Sequence, residues 1–424
     1  MPIAIQNLLV FPCGSECGLE INKALKHEKY VNLFGASSVE CNHGRFAFEQ
    51  YIQSLVPMIT AEDFIPRFNA ILDEYAIGFV VPALDSVALF LTEHRDEINA
   101  TVISPSYETN AICRSKQRTY DLLADVIAIP ASYSAAEVTD AMFPVFLKPD
   151  VGQGSQGTVL AKDRATLDYY TGQNSDLLVL DYLPGPEYTI DCFTDRHGKL
   201  RFCGGRQRRR TRGGISVNSI RVRDDRFEQW AEKINTAMAF RGAWFYQVKE
   251  TAAGEFVLLE VATRIAGTSA LARNRGVNLP LLSLYDAMDM DVAILENDID
   301  NEIDRALVNR FRIGRDFEHV YVDFDDCLIV AGKVNTDLVA FLYDCIHRSK
   351  GVYLLTRHAE DIHASLAKYR LTGLFDEIIH IGLDEPKSGH VTRQPAIFID
   401  DSHKERKDVA EKTATLVFSP DVFL

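Results

Sequence analysis

Two sets of residues in this chain have types and spacings that could do chemistry. The first begins with the loop Lys148-Pro149-Asp150-Val151-Gly152-Gln153-Gly154-Ser155-Gln156-Gly157, which follows the apolar run Val145 to Leu147. Glycines at 152, 154 and 157 let the backbone approach a phosphate closely, and their amide N–H groups with the Ser155 hydroxyl could cradle its oxygens. Lys148 would add a point charge. The spacing fits neither the Walker A pattern nor the dinucleotide fingerprint, and a glycine-rich hairpin would explain the loop alone equally well. Downstream, Leu259-Glu260-Val261-Ala262-Thr263-Arg264 ends an apolar run with a carboxylate and a guanidinium. Glu260 suits Mg²⁺, a hard cation that prefers oxygen ligands, and Arg264 suits a phosphoryl group in transfer. Gln247, on the preceding strand, would face the same cleft if the two strands form a hairpin.

The second set lies near the end of the chain. Val320-Tyr321-Val322 runs into Asp323, Asp325 and Asp326. Carboxylates this close repel one another unless a cation or a proton intervenes. Thr356 ends a later apolar run, Lys387 follows Pro386, and Asp400 and Asp401 follow Phe398-Ile399. In an open parallel sheet the strand C-termini line one edge, so all these groups would meet there.

The elements that must position these residues follow an α/β alternation. Strand-like runs at 7–12, 30–34, 77–82 and 102–104, with a helix over 18–26, predict a small doubly wound region over 1–112. A second region, 113–300, opens with a helix near 116–124 and contains the glycine loop, strands over 177–183 and 188–194 that read as a pair, and the strand 256–261. The acidic stretch Glu296 to Asp304 reads as a linker or a surface helix, with 301–316 as the connection. The third region, 317–424, alternates strands and helices in the manner of a compact parallel sheet. Its intervals between Leu328, Thr356 and Lys387 are consumed by a helix and a strand each, which leaves no room for a cap domain.

Composition narrows the function classes. The chain has 424 residues, 47% hydrophobic and 25% charged, within the ordinary range of a soluble globular protein. No apolar run is long enough to span a bilayer, and the N-terminus lacks the pattern of a secretory leader. The eight cysteines are scattered without zinc-ligand spacing, which predicts reduced thiols and a cytoplasmic setting. A net charge of −15 argues against nucleic acid or an anionic membrane as partner. One stretch reverses the sign: Lys199 to Arg226 holds ten Lys or Arg and two Asp. Within it, Arg206, Arg208 and Arg210, followed by Gly213-Gly214, are candidates for binding a small anionic substrate on a mobile loop; a solvated basic hairpin is the alternative.

Taken in order, the pieces of residues 8–295 resemble the ATP-grasp superfamily, in particular its carbamoyl-phosphate-synthetase-like branch. Lys116, in Arg114-Ser115-Lys116, resembles the first nucleotide lysine. Lys148 with Gly152, Gly154, Ser155 and Gly157 resembles the second lysine and the phosphate loop. Asp181-Tyr182-Leu183-Pro184-Gly185-Pro186-Glu187 resembles the hinge that holds adenine by its backbone and ribose through Glu187. Gln247, Glu260 and Arg264 resemble the metal and phosphate end. Ala262 departs from the pattern, since the family usually has Asn there. The resemblance implies ATP and Mg²⁺ as cofactors, and a small-molecule carboxylate and an amine as substrates, joined through an acyl phosphate.

Residues 317–424 resemble the haloacid dehalogenase superfamily, with Cys327 where Thr is frequent and an Asp-Asp pair where Gly-Asp is commoner. The resemblance implies that Asp323 attacks a phosphate and that Asp325 acts as acid and base. Thr356 and Lys387 would hold phosphoryl oxygens. Mg²⁺ would sit between Asp323, the Asp325 carbonyl and Asp401, with Asp400 beside it. The sequence thus predicts an α/β chain: a doubly wound subdomain plus ATP-grasp fold, then a capless Rossmann-like domain, in an ATP-dependent ligase fused to a phosphohydrolase. A regulatory nucleotide-binding protein with one inactive domain and a small-molecule kinase are the alternatives. Assembly into a homo-oligomer is left open.

Overall fold

A computed structural model describes residues 4–309, 311 and 314–423. The chain divides into two compact units, Met1–Leu307 and Val308–Leu424. Residues 310, 312 and 313 of the expected connection 301–316 lie outside the described residues. Among the described residues no helix is long and apolar enough to cross a membrane, and all eight cysteines are free.

The first unit contains three sheets. Strands β1 (Gln6–Phe11), β2 (Val31–Gly35), β3 (Gln50–Tyr51), β4 (Phe79–Pro82) and β5 (Thr101–Val102) form a parallel sheet in the order β3-β2-β1-β4-β5. The continuous apolar run of β1 fits a strand covered on both faces. A four-stranded antiparallel sheet follows from β6 (Ser132–Tyr133), β7 (Val145–Pro149), β8 (Val159–Ala161) and β9 (Leu177–Asp181), in the order β6-β9-β7-β8. The third sheet is antiparallel with six strands. It consists of β10 (Glu187–Thr194), β11 (Leu200–Arg212), β12 (Ile215–Arg221), β13 (Gly242–Glu250), β14 (Phe256–Ala262) and β15 (Glu302–Asp304), in the order β14-β13-β10-β11-β12-β15.

Three expectations change here. The boundary at 112 falls inside the helix Tyr107–Arg114. The regions on either side share one core, in which Leu8, Val10 and Ala83 pack in the same cluster as Phe193, Phe202, Ala243 and Leu279. Burying that common apolar surface makes one unit of two sequence regions. The strands expected to pair at 177–194 belong to different sheets: β9 pairs with β6 and β7, whereas β10 pairs with β11 and β13. Pro184 and Pro186 sit between them, and proline removes the ladder donor and restricts the preceding residue, which separates the two ladders. The acidic stretch forms no helix. Its end is the edge strand β15, paired with β12.

The second unit is a five-stranded parallel sheet. Its strands are β16 (His319–Val322), β19 (Gly351–Thr356), β20 (Glu377–His380), β21 (Ala396–Ile399) and β22 (Leu416–Phe418), ordered β20-β19-β16-β21-β22. The short hairpin of β17 (Ile329–Val330) and β18 (Lys333–Val334) stands apart from this sheet. The central strand β16 and its neighbours β19 and β21 are buried almost throughout. Helices at Thr336–His347, Ile362–Lys368 and His403–Lys412 alternate with the strands.

Candidate functional site

In the first unit a cleft opens between the two antiparallel sheets, with a volume of about 950 Å³ including its mouth. Lys116, Lys148, Gly152, Gly154, Ser155, Asp181, Leu183, Glu187, Arg208, Gln247 and Glu260 all line it. Residues widely separated in sequence are therefore brought together. Gly157 is not on its wall; it closes the loop behind it with φ +72°.

The glycine-loop side is tightly specified. Asp150, the first residue after β7, accepts from Ser115 Oγ (2.8 Å) and from the Gln117 N–H (2.7 Å), pinning the loop to the start of the helix Lys116–Leu123. The Ser115 hydroxyl also accepts from the Arg118 N–H, capping that helix. Lys116 Nζ donates to the Asp150 carbonyl (2.9 Å), and Arg114 Nη1 to the Gly152 carbonyl (3.1 Å). Gly154 and Ser155 have φ of +59° and +56°. Gly214, at the tip between β11 and β12, faces this loop so closely that a Cβ there would lie 2.2 Å from the Gly154 carbonyl oxygen. The tip of the arginine-bearing hairpin therefore rests on the glycine loop, which only glycine permits.

Lys148 is buried, donating to Tyr120 Oη (2.6 Å) and to the Leu259 carbonyl (3.0 Å). Burial pulls its ammonium down to about 8, with Glu260 opposing that fall. A buried cation with neutral hydrogen-bond partners is unsaturated and would gain from an anion. Glu260 lies in register with Gln247 across β13 and β14. At the other end of the cleft Pro130, Phe146, Leu180, Tyr182 and Leu183 supply an apolar wall that fits a flat ring. The ladder between β7 and β9 stops at Asp181, leaving the Tyr182 and Leu183 peptides beyond it. Phosphate-sized anions, a hard cation and a planar base all find suitable partners here.

The arginine run is divided by the fold. Arg208 reaches the cleft, where it pairs with Glu187 and donates to Gln247 Oε1 (3.2 Å) and the Gly214 carbonyl (2.6 Å). Arg206 is 1% exposed and paired with Asp191 and Thr268, so it is a core residue and not a substrate contact; burial pulls its guanidinium down to about 9. Arg210 is exposed and paired with Asp304 (2.8 Å), away from the cleft wall. The acidic stretch explains most of the basic one. Arg209 pairs with Glu302, Arg221 with Glu296 and Asp298, and Arg223 with Asp298 and Asp300. The sign reversal along the sequence is largely an internal charge match.

Arg264 lies at a smaller adjoining cavity lined also by Asp85, Arg114, Lys116 and Glu260. Its guanidinium holds Asp85 in a two-pronged pair at 2.9 and 2.8 Å. Burial pushes the Asp85 carboxyl up, but Arg264 outweighs it and keeps that group below the usual carboxylate range. Asp85, Arg114 and Tyr120 were not legible as site residues. Asp85 begins a helix in another sheet's layer, and nothing in its local sequence marks it.

In the second unit the sheet's C-terminal edge gathers the other set. Asp323, Asp400 and Asp401 each offer a carboxylate oxygen, all within 4.8 Å of one another. Lys387 Nζ lies 3.0 Å from Asp323 and 2.6 Å from Asp400. Burial pushes Asp400 up to about 6, with Lys387 opposing, and also raises Asp323. One lysine among three carboxylates leaves net negative charge, which suits a divalent cation. Thr356 is fully buried at the end of β19. The Asp325 side chain is absent from the carboxylate trio and turns to His358 instead. His358 was missed because a histidine beside a strand end carries no sequence signal by itself.

Comparisons with known proteins cover about two thirds of the chain. Residues 173–308 match the family model described as ATP-grasp in the biosynthetic pathway with Ter operon. Among solved structures, the biotin carboxylase domain of Hydrogenobacter thermophilus 2-oxoglutarate carboxylase, in complex with MgADP, ADP and bicarbonate, superposes with a TM-score of 0.58 at 14% identity, covering 69% of this chain and 72% of that one. N5-carboxyaminoimidazole synthetase from Staphylococcus aureus, complexed with ADP, gives 0.57 at 13% identity over 69% and 79%. The L-amino acid ligase from Bacillus licheniformis gives 0.55 at 15% over 67% and 74%. No curated protein matches the sequence. Over about two thirds of its length the chain thus shares the mixed α/β fold of these enzymes, and residues 173–308 match an ATP-grasp family model.

Proposed function

We propose that the first unit is an ATP- and Mg²⁺-dependent ligase that joins a small-molecule carboxylate to an amine. The observation that carries this reading is the buried, unsaturated Lys148 beside Lys116 and the glycine loop, opposite Glu260 in the same cleft. In this reading the glycine loop and both lysines hold the nucleotide phosphates, Asp181 and Leu183 flank the base, and Glu187 takes the ribose. Glu260 with Gln247 would hold Mg²⁺, which supplies charge neutralisation when bound. A carboxylate oxygen attacks the γ-phosphorus, the β–γ bridging P–O bond breaks, and ADP leaves. The amine nitrogen then attacks the acyl carbon, expelling phosphate and releasing a proton. Arg264 steadies the phosphoryl group, and Arg208 faces the carboxylate. Such chemistry asks the protein mainly for positioning and charge stabilisation. ADP and magnesium in structural neighbours support the cofactor assignment. The test is release of ADP and phosphate that requires both a carboxylate and an amine. A stable phosphorylated product without amine would point to a kinase, and nucleotide binding without turnover to a regulatory protein.

For the second unit we propose a Mg²⁺-dependent phosphohydrolase, supported by the Asp323, Asp400 and Asp401 trio around Lys387. Asp323 attacks the phosphorus of a phosphate monoester while Asp325 gives a proton to the departing alcohol. Water then attacks the aspartyl phosphate and returns a proton to Asp325. Thr356 and Lys387 hold phosphoryl oxygens. Hydrolysis of a phosphomonoester that needs Mg²⁺ and disappears in Asp323→Asn tests this reading.

A further inference from the structure

A hydrogen-bonded chain at the edge of the second unit joins Asp325 to two residues, His358 and Ser365, that the roles above do not use. His358 follows the strand end at Thr356. Its Nδ1 lies 2.8 and 3.1 Å from the two carboxylate oxygens of Asp325, and its Nε2 lies 2.8 Å from Ser365 Oγ. The histidine is fixed on its other sides as well. Its backbone N–H donates to Thr356 Oγ1 (3.2 Å), its carbonyl accepts from His380 Nε2 (2.7 Å), and its ring meets Phe324 edge-on at 4.8 Å. The His358 side chain is 11% exposed, that of Asp325 54%. Ser365 is buried on the helix Ile362–Lys368 and cannot meet a substrate, so this is no nucleophilic triad. A carboxylate at Nδ1 keeps the proton on that nitrogen, and Nε2 then accepts from the Ser365 hydroxyl.

We propose that His358 is a positioning residue for Asp325. A half-exposed aspartate on a loop would otherwise sample several rotamers. The Asp325 carboxyl group, held against a ring that is itself tied down, keeps one rotamer. When Asp325 is protonated, one of its oxygens still accepts from His358 Nδ1–H while its O–H gives the proton to the ester oxygen of a bound phosphate monoester as the P–O bond breaks, leaving the Asp325 carboxylate. This inference rests on the phosphohydrolase reading of the same edge.

The experiment compares two esters that need the acid to different degrees, using the full chain with Mg²⁺. p-Nitrophenyl phosphate has a good leaving group and a primary alkyl phosphate a poor one. In His358→Ala both rates are expected to fall, the alkyl ester's by about tenfold more, a part of the roughly 10²–10⁴-fold that a positioned acid contributes. His358→Asn, which can still donate to a carboxylate, should recover part of the difference. A second readout needs no turnover: the wild type should give a slowly exchanging, downfield imidazole N–H proton signal that Asp325→Ala removes. Equal losses for both esters with an active wild type, or a signal unchanged in Asp325→Ala, would overturn the role of His358. A wild type that hydrolyses neither ester would overturn the phosphohydrolase reading, and His358 with it.

Discussion

The two sites solve opposite electrostatic problems. The cleft of the first unit is a cation-bearing cavity, with Lys116, Lys148, Arg208 and Lys249 on its wall against Asp181, Glu187 and Glu260. The edge of the second unit is an anion-bearing surface, with three carboxylates around Lys387. The first can receive an anion directly on the charges it already holds. The second cannot receive a phosphate until a cation has offset its carboxylates, because like charges in a buried setting disfavour one another. Their construction differs too. The cleft draws on two sheets and the helix that begins at Lys116. The edge needs one sheet whose strands all point the same way.

The sharpest way to break this comparison is reciprocal substitution. Glu260→Gln should lower ATP-dependent turnover by at least about 100-fold and leave Mg²⁺-dependent ester hydrolysis alone. Asp323→Asn should do the reverse. Parallel assays on the two variants check this, and a joint loss would mean that the sites are not chemically independent.

The next effect separates arginines that look alike in sequence. Arg206→Met should destabilise the fold by about 3–5 kcal/mol, because Asp191 is left buried without its partner. Urea unfolding of the full chain measures it, and a change confined to substrate KM would return Arg206 to the substrate site. Smaller again, Lys148→Ala should weaken binding of a non-hydrolysable ATP analogue by about 10- to 100-fold, the worth of one charged hydrogen bond, read by calorimetry.

Acid should then act on the Asp85–Arg264 pair. The folded Asp85 carboxyl is held low, so its contribution is complete above the unfolded value near 3.9 and is lost as pH falls through the folded value. Stability below about pH 4 should therefore fall more steeply in the wild type than in Asp85→Asn, in thermal melts across that range. The smallest effect belongs to Arg210→Ala. Its exposed pair with Asp304 should be worth less than about 1 kcal/mol, with substrate KM unchanged because Arg210 is off the cleft wall.

The edge of the second unit was the more legible of the two sites. Asp323, Thr356 and Asp400 each stand at or just past the end of an apolar strand, and parallel topology carries such positions to one side without further information. What that rule could not supply was His358, whose role depends on the direction of one side chain. In the cleft, the glycine loop, Lys148, Gln247 and Glu260 were readable as pieces, since their residue types suit phosphate and a hard cation. The arginine run was readable only as charge. Its division into core, cleft and surface members required knowing which face of β11 each residue takes and what stands opposite.

Sequence by itself determined the α/β alternation, the strand-end chemistry and the residue types that could meet a phosphate and a metal. Those are local properties, set by hydrophobic period, glycine freedom and side-chain charge. Tertiary structure decided that the first two sequence regions share one core, that β9 and β10 part into separate sheets, and that Asp191, Glu187 and Asp304 claim three neighbouring arginines for different ends. These outcomes depend on contacts between residues far apart in the chain. No local pattern encodes which buried charge will find which partner, because that choice is made by the packing that excludes water around both.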